Sequence, residues 1–140
     1  MENIKNILVP LDGSKNSLKA LTKAIYLAKK CNSSITALYV LRVAYDNPSL
    51  LYVPQTQNEL KKVERILDTA KNQVSKNNIG FKKKILFGHE AKQIVDFAQK
   101  QKFDLIVMGA RGHGGIKQMI LGSISNTVVH SSKIPVLIVK

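Results

Sequence analysis

The chain holds one cysteine, Cys31, among 140 residues, so no internal disulfide can staple it. Tryptophan is absent and aromatic residues make up only 6%, which leaves no recognisable RNA-binding aromatic motif. Histidines are few, and His89, His113 and His130 do not stand at metal-ligand spacing. No apolar run approaches the roughly 20 residues that cross a bilayer. The opening MENIKNILVPLDG lacks the basic start and apolar stretch of a secretory leader. The expected setting is the cytoplasm, with no membrane partner. Acidic residues are scarce as well: 9 against 22 Lys and Arg, a formal charge of +13. Residues 1–70 carry 10 basic and 6 acidic side chains (+4), and residues 71–140 carry 12 and 3 (+9). Such a balance attracts anions, phosphate and nucleic acid alike, and does not choose between them.

What is present is a repeating hydrophobic pattern in a chain long enough for one domain, residues 1–140. Ile7-Leu8-Val9, closed by Pro10, reads as a buried strand. Leu18, Leu21, Ile25 and Ala28 recur at helical spacing with lysines between them, so an amphipathic helix follows, with Ser14 or Ser17 as its cap. Cys31, late in that helix, reads as packing filler. SSITALYVL is a second strand, and residues 44–56, with two prolines and no period, form a loop. Leu60, Val63, Leu67, Ala70 and Val74 mark a second helix, FKKKILF a third strand, and Ala91, Ile94 and Ala98 the buried face of a third helix. DLIVM, SISNTVVHSS and IPVLIV complete the series as strand, helix and strand. Short aliphatic strands alternating with helices predict an α/β domain, a doubly wound open parallel sheet covered on both faces.

One stretch breaks the pattern. Residues 108–123, MGARGHGGIKQMILGS, contain five glycines just after the fourth strand. In an open parallel sheet, ligands bind beyond the carboxyl ends of the strands. Asp12 and Gly13 follow the first strand, Val40 ends the second and Gly109 follows the fourth, all at that edge. The helix starting near Gly122-Ser123 offers unsatisfied amides and a partial positive charge, an anion site in waiting. Two phosphate motifs fail here: Gly115-Ile116 stands where a P-loop needs Lys-Ser/Thr, and Lys117 where a dinucleotide fingerprint needs its third glycine.

What remains is G-x2-G-x9-G-S at Gly109, Gly112, Gly122 and Ser123, framed by VPLDGS, DLIVMGARG and KIPVLIVK. In these segments the chain resembles the universal stress proteins, specifically their ATP-binding branch, over essentially its whole length. The resemblance implies a Rossmann-like sheet of five strands in the order 3-2-1-4-5, of the adenine nucleotide alpha hydrolase type. It also implies ATP, with Mg²⁺ or Mn²⁺, across the carboxyl edge. By position, Pro10 and Asp12 would border the adenosine and the backbone of Val40 the adenine. Met108, Gly109 and Arg111 would line the ribose and nearby phosphate, with Gly112 in the phosphate loop. Gly122, Ser123, Ile124 and Ser125 would receive the outer phosphates. The family further implies a homodimer joined through the last strand, residues 134–139.

Elementary chemistry supports several of these assignments. Gly109 and Gly112 bring amides close to a ligand where a Cβ would strike it. Ser123 and Ser125 add hydroxyl donors, and Arg111 adds a charge-assisted contact. Asp12 beside a polyanion is repulsive unless it meets a sugar hydroxyl or a water-bridged divalent cation. The bland readings stand beside them: Asp12-Gly13 as a turn pair, Ser123 and Ser125 as helix caps, His113 as a solvated loop residue, and Lys82-Lys83-Lys84 as a solvent face. The expected role is a nucleotide-dependent regulator. Slow ATP hydrolysis or autophosphorylation at Ser123 or Ser125 is the alternative, opposed by the lack of a clear catalytic base, since Glu90 and Asp96 read as solvated. Nucleic-acid binding rests on charge alone and is the weakest expectation.

Overall fold

The computed structural model describes residues 3–42, 57–111 and 121–140. Five parallel strands, β1 (Asn6–Pro10), β2 (Ser34–Leu41), β3 (Phe81–Phe87), β4 (Leu105–Gly109) and β5 (Val136–Val139), form one sheet in the order β3-β2-β1-β4-β5. The order is the expected one. Helices α1 (Lys15–Cys31), α2 (Gln57–Ser75), α3 (Glu90–Lys100) and α4 (Ser123–Ser131) alternate with the strands.

The period-two geometry of a strand sends neighbours to opposite faces, and β1 shows the result. Ile7 and Val9 join a cluster with Leu21, Ala24, Leu67 and Val74 from α1 and α2. Leu8 joins the other cluster, with Ile94 and Ala98 from α3 and Val128 from α4. All three β1 residues are fully buried, which explains a strand that reads as a continuous apolar run. In register, Ile7 stands beside Ile35 and Leu105, and Leu8 beside Thr36 and Ile106.

Some helix assignments shift. Leu18 does not face the core; it is 40% exposed, and α1 buries Ser17, Ala20, Leu21, Ala24, Ile25 and Ala28 instead. Small residues at 20, 24 and 28 let the helix lie close on the sheet, which turns the seam away from Leu18. Leu60 and Ala91 are half-buried at the rims of their clusters. Cys31, the last residue of α1, lies at the surface rather than in packing. Lys82, Lys83 and Lys84 are exposed on the edge strand β3, and Lys83 Nζ reaches Glu64 at 3.0 Å and Asp68 at 3.4 Å on α2. The loop 44–56 lies outside the described residues.

Candidate cleft at the carboxyl edge of the sheet

β1 ends at Pro10, and the chain turns through Asp12-Gly13 into α1. Gly13 takes φ 82°, a left-handed conformation that costs a side-chain-bearing residue roughly 1–2 kcal/mol. Asp12 Oδ1 accepts the Ser14 amide at 2.8 Å, and the Ser14 hydroxyl caps α1 by accepting the Ser17 amide at 3.2 Å. The turn-pair reading of Asp12 therefore holds, yet its half-buried side chain also lines the cleft beyond the strand ends.

That cleft has a volume of about 460 Å³, within the usual range for small-molecule sites. Pro10, Asp12, Val40, Met108, Gly109, Arg111, Gly122, Ser123, Ile124 and Ser125 all line it. Gly112 lies outside the described residues, as do His113 and Lys117.

Two assignments take on a different physical basis. A Cβ built at Gly109 would stand 2.8–2.9 Å from the backbone C, the O and the Cβ of Asn16. Glycine is needed there because β4 passes hard against the first turn of α1, before any ligand is considered. Ser125 is buried, at 3% exposure, and its hydroxyl donates to the carbonyl of Ala110. Its one proton is thus engaged within the protein rather than offered to the cleft.

The Ala110 carbonyl also accepts the Gly122 amide at 2.7 Å. Both ends of the segment between them are therefore clasped together at the cleft wall. Asn16 adds a third tie, its side-chain amide donating to Arg111 O at 3.0 Å. Beyond the clasp, Gly122 caps α4 in an extended conformation (φ −74°, ψ 170°) with no side-chain cap bond. The first amides of a helix have no intrahelical partners. Ser123, Ile124 and Ser125 line the cleft together with Arg111, and the helix start gives this end a positive character.

The opposite end is acidic. Glu59 of α2 and Glu90 of α3 line it around Tyr39, together with Arg42. Glu90 is half-buried rather than fully solvated: burial raises its pKa above the usual 4.5, Arg42 at 3.8 Å lowers it in part, and Asp12 raises it further. The Tyr39 hydroxyl is raised first by burial and then by Asp12, Glu90 and Glu59. Asp96, in contrast, is exposed and pairs with Lys92 at 2.8 Å. Sequence reasoning missed Asn16, Tyr39, Glu59 and Glu90. Tyr39 had a usable signal, since it stands near the end of a strand on the carboxyl edge. Among the described residues no group of three or more His, Cys, Asp or Glu is placed to hold a metal ion.

Comparison with known proteins agrees with this architecture. The family model described as the universal stress protein family matches residues 3–140. The universal stress protein YxiE of Bacillus subtilis is 37% identical, over 96% of this chain and 97% of its own. The solved structure of the universal stress protein UspA from Lactobacillus plantarum superposes with a TM-score of 0.90 at 28% identity, covering 100% of both chains. A universal stress protein solved in complex with cAMP has a TM-score of 0.79 at 24% identity, covering 99% of both chains, a likeness of fold alone.

Proposed function

The chain belongs to the universal stress protein family, and from that premise we propose that it binds an adenine nucleotide, ATP with Mg²⁺ or Mn²⁺, in the cleft at the carboxyl edge. The observation that carries the reading is the glycine-capped start of α4, which lines the cleft next to Arg111. An anionic phosphate group suits that end. The base then extends toward the β2 strand end, where Val40 offers backbone groups and Ile94 and Leu38 an apolar surface. The complex with cAMP belongs to a protein whose 24% identity carries a likeness of fold alone; the case here rests on this chain's own residues. A divalent cation fits only as a phosphate-bound ion that Asp12 meets through water. It would neutralise phosphate charge near that carboxylate.

Titration calorimetry of ATP with MgCl₂ is expected to give one site per chain. Absence of heat from the folded protein with any adenine nucleotide would remove the proposal. Nucleotide-dependent regulation of a partner is the role that goes with this reading.

Self-association through β5 is part of the same proposal. β5 is an edge of the sheet, with Leu137 at 36% exposure, and bare aliphatic edges invite pairing. Val136 and Ile138 pack inward against the α3–α4 cluster, so the informative change is Leu137→Asp. Light scattering should then report a monomer where the native chain is a dimer; a dimeric Leu137→Asp variant would exclude this interface.

A further inference from the structure

The outer face of α1 carries Lys15, Lys19, Lys23, Lys29 and Lys30, all exposed, and the helix contains no acidic residue. None of the five makes an ion pair with any described residue, whereas Lys83, Lys92 and Arg42 each do. The arrangement is locally unfavourable. Lys15 opens the helix at its positive end, and Lys15, Lys19 and Lys23 repel one another at i, i+4 spacing. Amid these charges stands Tyr26, 56% exposed. The ammonium groups of Lys23 and Lys30 lie 5.9 and 5.6 Å from its ring centroid. Sequence counts placed the larger charge excess in the C-terminal half; folding gathers this separate, unpaired set on one N-terminal helix.

We propose that this face of α1 is a docking surface for single-stranded nucleic acid, with the lysines on successive phosphates and an unpaired base stacked on Tyr26. Charge complementarity supplies the attraction, and counterion release the free energy. An aromatic ring flanked by cations is the combination that single-strand binders use. A duplex keeps its base faces stacked inside and offers nothing to the ring. A bilayer would want a continuous apolar wedge, and the face has none. Leu18 and Tyr26 stand about 12 Å apart along the axis. Between them lies Thr22, whose hydroxyl donates to Leu18 O and accepts from Gln73 Nε2 at 3.3 Å. The surface is distinct from the cleft, since none of these five lysines, nor Tyr26, lines it.

The test is fluorescence anisotropy of a labelled uridine 12-mer, which carries no adenine, with the whole chain between 50 and 200 mM salt. Binding is expected to weaken steeply with salt. Lys19→Glu with Lys23→Glu should lower affinity about tenfold or more and flatten the salt slope by roughly 0.7 per lost phosphate contact. The charge-matched pair Lys82→Glu with Lys84→Glu, on β3, should change it far less. Tyr26→Ala should cost about tenfold while Tyr26→Phe retains binding. Equal losses from the two charge-reversed pairs would overturn the proposal, as would an indifferent Tyr26→Ala. So would binding to phosphatidylserine vesicles without binding to the oligonucleotide. Circular dichroism of each variant confirms that these exposed substitutions leave the fold intact.

Discussion

Gly109→Ala is expected to destabilise the protein by about 3 kcal/mol, lowering the melting temperature by roughly 10 °C. The added Cβ would approach the Asn16 carbonyl carbon to 2.8 Å and its oxygen to 2.9 Å, and backbone atoms at the start of a helix cannot swing aside as a long side chain would. Relief would require α1 to lift from β4. That movement would open the contacts of Leu21 and Ala24 with Ile7, Val9 and Val107 in the same cluster. Because the obstruction is mainly backbone, Asn16→Ala should not rescue the variant in a double-mutant cycle. Thermal unfolding followed by circular dichroism measures both. A Gly109→Ala protein as stable as the native chain would mean that β4 and α1 are less closely apposed than described.

Gly122→Asp is expected to do the reverse, sparing the fold and weakening nucleotide binding severely. The position accepts a side chain: a Cβ there meets nothing closer than 3.5 Å, and the backbone is extended. Aspartate is a preferred helix cap, and its charge is favourable at the N-terminus of α4. Stability should hold or rise slightly. The same carboxylate would occupy the α4 amides and repel phosphate. Loss of two hydrogen bonds to a charged group, at about 1.5 kcal/mol each, corresponds to roughly a hundredfold in affinity. Calorimetry with ATP reads the effect, and the unfolding curve of the same sample shows that the protein is native. Undiminished ATP binding by Gly122→Asp would place the phosphates elsewhere. The two glycines, both members of one motif, are thus expected to separate: Gly109 answers to packing, and Gly122, on the proposed function, to the ligand.

That separation marks where the sequence is legible. Strands such as Ile7-Leu8-Val9 announce themselves because both of their faces are buried. A parallel sheet then brings every strand's carboxyl end to one edge, so Asp12, Val40 and Gly109 share a cleft. The reason for each residue is harder to read. Nothing near position 109 in the chain points to Asn16, and only the crossing of β4 over α1 reveals it. Glu59 and Glu90 reach the acidic end from helices whose placement depends on packing, so Glu90 looks like any first-turn carboxylate until burial is known. Leu18 misled for a related reason: Ala20 and Ala24, passed over in favour of a larger apolar residue, decide which side of α1 meets the sheet.

The clasp at Ala110 has a consequence for how such a molecule can change. Gly122 and Ser125 close on a single carbonyl, so scaffold and helix are joined independently of whatever is threaded between Arg111 and Leu121. Closure entropy grows only slowly with length, so exchanging that segment for one of another size is expected to leave the melting temperature of the parent structure nearly unchanged. Evolution, or an engineer, has there a socket for new recognition beside an unaltered frame.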